Sequence, residues 1–182
     1  MNLVTSTSGL VERVHKGDGD AFALLFDKYS RRLAVLIHYR LSDSLRANLE
    51  VDDVLQEVWL AAFRGLPRLR SPAALTTWLY RLARNKACQD LRRRRVWTEL
   101  DDAALPAEAP DTELEFSPEQ AAEIHRALDR LAPPHREVLV LRFLEDLSYD
   151  EIAEIVGCPV GTVRSRIHYA KWALRHEMEG SS

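Results

Sequence analysis

Two short helical signals joined by a single glycine constrain this chain more than any other feature. Ser148 can cap a helix N-terminus, and Glu151, three residues on, can close a capping box with it. Leu147 and Ile152 flank that box at the spacing of a hydrophobic staple. The helix so started carries Ile152, Ile155 and Val156 on one face and meets Gly157, which accepts the left-handed backbone of a sharp stop. Pro159 has no N–H to lose, which predicts it as the first position of a second helix. In that helix Val163 and Ile167 point inward and leave Thr162, Arg164, Ser165, Arg166 and His168 to solvent. Two short helices with a tight turn, the second polar and basic outside, read as a helix-turn-helix that offers its second helix to a DNA major groove. An ordinary helical hairpin with a solvated basic face satisfies the capping and periodicity equally well.

At 182 residues the chain fits one or two small domains, each able to bury a core without metal or disulfide help. A formal net charge of −3 argues, as an average, against a polyanionic partner. The charge is segregated, however. Between Arg81 and Arg95 stand Arg81, Arg84, Lys86, Arg92, Arg93, Arg94 and Arg95 against Asp90 alone, whereas Glu99 to Glu123 holds acids and no Lys or Arg. Blocks of opposite sign predict one surface for a polyanion and a separate acidic segment. Cys88 and Cys158 lack the paired spacing of a zinc or redox site and read as small buried residues of a reduced protein. No apolar run has the length of a membrane span, and no signal core follows the N-terminus, so a soluble cytoplasmic protein is expected.

Helical periodicity dominates, and no run alternates as a strand does. The expected fold is all-α: two small helical domains joined by an acidic flexible linker, the C-terminal one a helix-turn-helix. Asp20 is read as the cap of a helix in which Phe22, Leu25, Phe26, Tyr29, Leu33, Leu36 and Ile37 recur at helical spacing. After a polar break around 42–48, Asp52 is read as capping another, with Val54, Leu55, Val58, Trp59, Ala62 and Phe63 apolar. A third runs from about Pro72 to Arg95, completing a module over 10–96. Residues 97–116 are acidic and too poor in large apolar groups to form a core, which predicts a linker. Ser117, Pro118 and Gln120 supply cap, first-turn proline and capping-box amide for a second module over 117–178, with a break at Pro133-Pro134 and a further helix over 135–144.

Two further surfaces carry possible chemistry. On the helix over 75–95, Leu75, Leu79, Leu82, Ala83 and Leu91 make the apolar stripe, and Trp78, Arg81, Asn85, Gln89 and Arg92 lie on a different face. Arginines can hold phosphates, Asn85 can hydrogen-bond base edges, and Trp78 can stack on an unpaired base. Equally, Trp78 can be a core residue at the stripe's edge. On the helix near Asp52, Asp53 and Glu57 are four apart and share a face with Gln56 beside them. Paired carboxylates can serve acid–base or metal chemistry, but no His, Cys or glycine-rich loop stands near them in sequence. A solvated or protein-docking face is the better reading, and neither a catalytic centre, nor a metal, nor a cofactor is expected.

With both modules in view, the chain resembles an extracytoplasmic-function sigma factor, the minimal group of the bacterial sigma-70-type family. In the first module the resemblance rests on Asp53-Val54-Leu55-Gln56-Glu57-Val58-Trp59, on Thr77 through Asn85, and on the run Arg92–Arg95. In the second it rests on Leu131-Ala132-Pro133, Arg136-Glu137-Val138, Leu147-Ser148-Tyr149, and Gly161 through Arg166. It covers about 20–96 and 117–176. Leu69 stands where that family often has an aromatic, Gln89 where it usually has Asp, and Tyr169 where Arg is common.

The resemblance implies a factor that binds core RNA polymerase and directs promoter-specific initiation, with an anti-sigma partner. It implies that Asp53, Gln56 and Glu57 dock on the polymerase. The loop with Arg70, and the helix with Trp78, Arg81, Asn85, Lys86, Gln89 and Arg92, would recognise and melt the minus-ten element. Thr162, Arg164, Ser165, Arg166, His168 and Tyr169 would lie in the helix reading the minus-thirty-five element. Two other functions stay open at this point: a polymerase-independent helix-turn-helix regulator, and, remotely, a metal-dependent nucleic-acid enzyme using Asp52, Asp53 and Glu57.

Overall fold

The computed structural model describes residues 6–40, 51–93 and 121–179, and among them there is helix and no strand. The N-terminal module has α1 (Thr7–His15), α2 (Gly19–Arg40), α3 (Val51–Gly65) and α4 (Leu75–Arg93), with short 3-10 turns at Leu66–Arg68 and Pro72–Ala74 between the last two. The C-terminal module has α5 (Ala121–Arg130), α6 (Pro133–Leu139), a π-helical turn (Val140–Leu144), α7 (Tyr149–Val156) and α8 (Val160–Glu179). The expected linker over 97–116, the polar break at 42–48, the Ser117–Gln120 cap, Leu91 as a stripe residue and Arg93–Arg95 as a basic run lie outside the described residues or side chains.

In the N-terminal module α2 is the central element. Leu25, Tyr29, Leu33, Leu36 and Ile37 recur every three or four residues and are buried against α3 and α4. Opposite them stand Val54, Val58 and Ala62 of α3 and Leu75, Leu79 and Ala83 of α4. The cap of α2 is Asp18, not Asp20. Its Oδ1 accepts from the backbone N–H groups of Asp20 and Ala21 at 3.0 and 3.2 Å, while Oδ2 accepts from Arg13 Nε at 2.7 Å. The Arg13 hydrogen bond, then that of the Ala21 amide, hold this carboxyl below the usual carboxylate range. A carboxylate two residues earlier had the same cap chemistry and an arginine partner as well. Asp52 likewise proves to lie in the first turn of α3, which already begins at Val51. There it favours the positive end of the helix dipole rather than capping it. The long helix read from Pro72 starts as a 3-10 turn and becomes α-helical at Leu75.

In the C-terminal module the local signals at 147–157 are realised. Ser148 Oγ accepts from the Glu151 N–H at 3.2 Å, and Glu151 Oε2 accepts from the Ser148 N–H at 2.8 Å. Gly157 closes α7 at φ 71°, where a Cβ is disfavoured, and its N–H returns to the Ala153 carbonyl. Pro159 stands one residue before α8, and its carbonyl accepts from Val163 N–H at 3.1 Å. It therefore occupies the cap position, not the first helical position. The helix read over 135–144 begins at Pro133 and widens to a π turn at Val140.

Gly157→Ala is expected to lower unfolding stability by about 1 kcal/mol through its positive φ, since open space surrounds the position. The check is a lowered denaturant midpoint at unchanged slope, against a slightly raised midpoint for Gly161→Ala, which has ordinary helical φ and equally open surroundings.

Candidate nucleic-acid interface

On α8 the apolar spacing fixes what is left for a ligand. Val163, Ile167, Ala170 and Leu174 are buried, so Arg164 and Ser165 emerge exposed one turn into the helix. Ser165 Oγ donates back to the Thr162 carbonyl at 3.0 Å. Thr162 and His168 are half-buried beside them, on the flank of the same surface. Arg166 turns toward the inter-helix turn, with Nη1 3.8 Å from Cys158 Sγ. Tyr169 packs sideways, its ring 4.7 Å from His135 and 5.7 Å from Trp172. Of the six residues expected here, Arg164 and Ser165 are thus the most open, and Arg166 and Tyr169 also support the scaffold.

Along α4, Arg81, Asn85, Gln89 and Arg92 are exposed and succeed one another at three- or four-residue steps, so they form one line. Arg70, in the loop before α4, is exposed as well. Lys86 is half-buried and pairs with Glu57 at 3.4 Å, which ties α4 to α3. Trp78 resolves toward packing. Its ring lies so close to the backbone of Gly65 that a Cβ there would sit 2.8 Å from Trp78 Cζ2. Gly65 is therefore the residue that lets the indole close over the end of α3, and Trp78 is half-buried against the core instead of standing clear for a base.

Asp53 and Gln56 are exposed on α3, whereas Glu57 is drawn to Lys86. Phe26 and Phe63, two of the apolar residues at helical spacing on α2 and α3, are exposed, as is Leu60. With Phe22, Leu55 and Trp59 they line an open groove of 410 Å³, and Asp52 and Gln56 also line it. Phe22 meets Trp59 and Phe63 edge-on at 5.7 and 5.2 Å, which holds the groove's shape. Apolar groups exposed in a cluster are the informative exception on a protein surface.

The sequence reading also missed a set of charges between the modules. Helix α2 packs against α6, and α4 against α7. Glu145, buried, accepts from Arg32 Nε at 2.6 Å and from the Tyr80 hydroxyl. Burial first, then the Glu145 carboxylate, push the Tyr80 phenol far above its ordinary range, so it remains the proton donor. Glu137, also buried, lies 2.9 Å from Arg84 Nε and 3.7 Å from Arg40 Nε, ion-pair distances without hydrogen-bond alignment. At Arg40, burial opposes the charge, but Glu137 and Cys88 outweigh it and raise the guanidinium's pKa. Tyr39 of α2 stacks on His125 of α5 with the rings 3° from parallel. At the rim Arg81 pairs with Glu154 of α7 at 3.2 Å. A signal for this existed in the sequence: Arg136 and Glu137 stand directly before the apolar run Val138-Leu139-Val140-Leu141, where unpaired charge would be costly.

A helix-turn-helix module beside a helical module with an exposed basic and amide line has the surfaces of a DNA-binding protein. The Sigma-70 region 2 family matches residues 25–96, and the Sigma-70 region 4 family matches 121–174. The RNA polymerase sigma-H factor of Pseudomonas aeruginosa is 39% identical over 178 residues, 91% of this chain and 90% of that one. The ECF RNA polymerase sigma-E factor of Escherichia coli K12 is 37% identical over 182 residues, 93% of each chain. Among solved structures, CnrH in complex with the cytosolic domain of CnrY aligns with a TM-score of 0.66 at 24% identity, covering 97% of this chain and 99% of that one. The sigma factor RpoE in complex with the anti-sigma factor NepR from Bartonella quintana aligns at 0.66 and 20% identity, over 88% and 98%. Those two likenesses speak to fold. The chain belongs to the extracytoplasmic-function sigma factors, and it is a core-polymerase-associated factor for promoter-specific transcription initiation.

Arg164→Ala is expected to weaken duplex promoter binding by roughly 1–3 kcal/mol and to relax discrimination at one base position if the guanidinium reads a base edge. Equal weakening on every duplex, with a shallower salt slope in a titration, would make Arg164 a phosphate clamp instead.

Proposed function

We propose that the factor divides its work among three surfaces. The groove formed by α2 and α3, with Asp53 and Gln56 on the same helix as its rim, docks on core polymerase; Glu57 shapes that helix through Lys86. The line Arg81, Asn85, Gln89 and Arg92 on α4, with Arg70 in the preceding loop, engages the minus-ten element as it opens. Trp78 supports that line from beneath, braced on Gly65. Arg164 and Ser165, flanked by Thr162 and His168, read the minus-thirty-five element in the major groove, and Arg166 and Tyr169 set the angle of α8.

The observation that carries this reading is the joint exposure of the α4 line and the apolar groove on one small module. An operator-binding regulator needs only the helix-turn-helix, and neither of those surfaces would repay its exposure in such a protein. The reading also takes the factor to work without turnover of its own, in the cytoplasm. None of the described helices is long and apolar enough to cross a membrane. An anti-sigma factor is proposed as a further partner, because the sigma factor RpoE of like fold is in complex with the anti-sigma factor NepR, and CnrH with the cytosolic domain of CnrY.

The direct test is run-off transcription on fragmented genomic DNA with purified core polymerase, with and without the factor. Discrete new start sites sharing spaced upstream elements support the reading; duplex binding without core association or new transcripts favours the operator-binding regulator. On promoters found this way, Asn85→Ala is expected to slow open-complex formation by about tenfold while changing initial duplex binding less than twofold, the scale of one lost base contact. Permanganate reactivity of unpaired thymines reads the first quantity, and unchanged opening would remove Asn85 from the minus-ten assignment.

A further inference from the structure

Between α3 and α4 the chain makes two 3-10 turns, Leu66–Arg68 and Pro72–Ala74, with Leu69, Arg70 and Ser71 between them. Leu69 and Ser71 have extended backbone, at ψ 111° and 115°, and Ser71 is restricted to it by the proline that follows. The Leu66 side chain is 2% exposed and Leu69 packs against the core, whereas Arg68, Arg70 and Ser71 face solvent. Leu69 N–H closes the first turn onto the Leu66 carbonyl at 3.0 Å. So short a segment cannot fix its own path. What holds it from outside decides where Arg70 stands.

Helix α1 supplies that hold. It packs against both turns, and at its last residue His15 Nε2 lies 3.0 Å from the Leu66 carbonyl oxygen. A carbonyl oxygen only accepts, so the imidazole donates through Nε2–H. The oxygen has two lone pairs, and His15 and the Leu69 N–H take one each. Among the described residues this is the one side-chain hydrogen bond made to residues 66–74 from another element. The ring is itself well placed to act as a fixed point. Gly17 turns the chain at φ 83° directly after α1, and Asp18, while capping α2, accepts from Arg13 Nε at 2.7 Å, which ties the last turn of α1 to the start of α2. Leu10 and Val11 anchor the rest of α1 in the core. Leu66 therefore stands between two restraints, the Trp78 ring over Gly65 and the His15 imidazole.

We propose that His15 is a positioning residue for minus-ten recognition: by holding the Leu66 carbonyl it sets the path of residues 66–74, and with it the place at which Arg70 meets the opening strand. This rests on the reading of the Arg70 segment as part of the minus-ten surface. Helix α1 has no part in the three surfaces above, and His15 acts through the segment without touching nucleic acid. Because the residue is exposed, its hydrogen bond competes with water, and the effect of losing it is modest. For the same reason its replacement removes no core contact.

The test uses the full chain with core polymerase on promoters found by run-off transcription, and reads opening by permanganate. His15→Leu is expected to slow opening by about threefold, the scale of one partly hydrated hydrogen bond, while initial duplex binding stays within about twofold. His15→Gln, whose amide N–H can stand where Nε2–H does, is expected to open promoters as the wild type does. In an Arg70→Ala background, itself slower to open, His15→Leu should add nothing, because it acts through the segment that carries Arg70. Equal slowing by Leu and Gln, or wild-type opening by His15→Leu while Arg70→Ala is slow, would overturn the proposal and leave the minus-ten reading intact. A full further loss in the Arg70→Ala background would overturn it in favour of a direct contact between His15 and DNA. Amide exchange at Leu69 in the free chain reads the tether without promoter or polymerase, and is expected to be about threefold faster in His15→Leu and unchanged in His15→Gln. Unchanged exchange in His15→Leu would overturn the tether. No opening by the wild type, with the expected exchange pattern present, would overturn the minus-ten reading and the role built on it, and the tether would stand as a feature of the fold.

Discussion

Carboxylates buried between two helical modules set the terms for the rest of the molecule. Removing ions from water costs several kcal/mol each, so Glu137 and Glu145 are tolerable only while their cationic and phenolic partners stay in place. This makes the closed arrangement conditional. Replacing one partner leaves an uncompensated buried charge, a loss of about 3–5 kcal/mol when the site stays dry. Separation of the modules returns the same carboxylates and guanidiniums to water, where they are hydrated. The pairs therefore give specificity of arrangement beside an apolar core that runs on from Leu25, Leu33, Val58 and Leu79 to Val138, Ile152, Val163 and Ile167.

The function depends on what those cores leave outside. In the N-terminal module, helix periodicity spends Leu75, Leu79 and Ala83 on the interior and frees Arg81, Asn85 and Gln89 for a ligand. In the C-terminal module the capping box at Ser148 and the left-handed Gly157 fix where α7 ends, and so the direction in which α8 leaves. The surfaces on α4 and α8 are thus rigid consequences of helix packing.

Most of the fold was legible in the sequence wherever the signals are local. Capping chemistry between residues three apart gave the helix-turn-helix, and apolar spacing gave α2, α3 and α4. The misplacements were also local and small: Asp18 took the cap from Asp20 because Arg13 supports it, and Pro159 caps α8 instead of entering it. The site was legible in part. Periodicity found the α4 line but could not decide the fate of Trp78, which turns on a close approach to Gly65 thirteen positions earlier in the chain. Nor could it tell that Phe26 and Phe63 face outward, because an apolar residue at a stripe's edge looks the same whether or not another helix covers it. The pairing of Arg32 with Glu145, across the whole length between the modules, had no local signal at all.

The most direct measurement of the account is the distance between the modules in solution, free and polymerase-bound. Dyes at Arg64→Cys on α3 and Arg175→Cys on α8, both exposed positions, in a Cys158→Ser background would report it by single-molecule energy transfer. The account predicts one high-transfer population for the free factor, replaced by a low-transfer population when core polymerase is added. A free factor that already shows low transfer, unchanged on adding core polymerase, would contradict it.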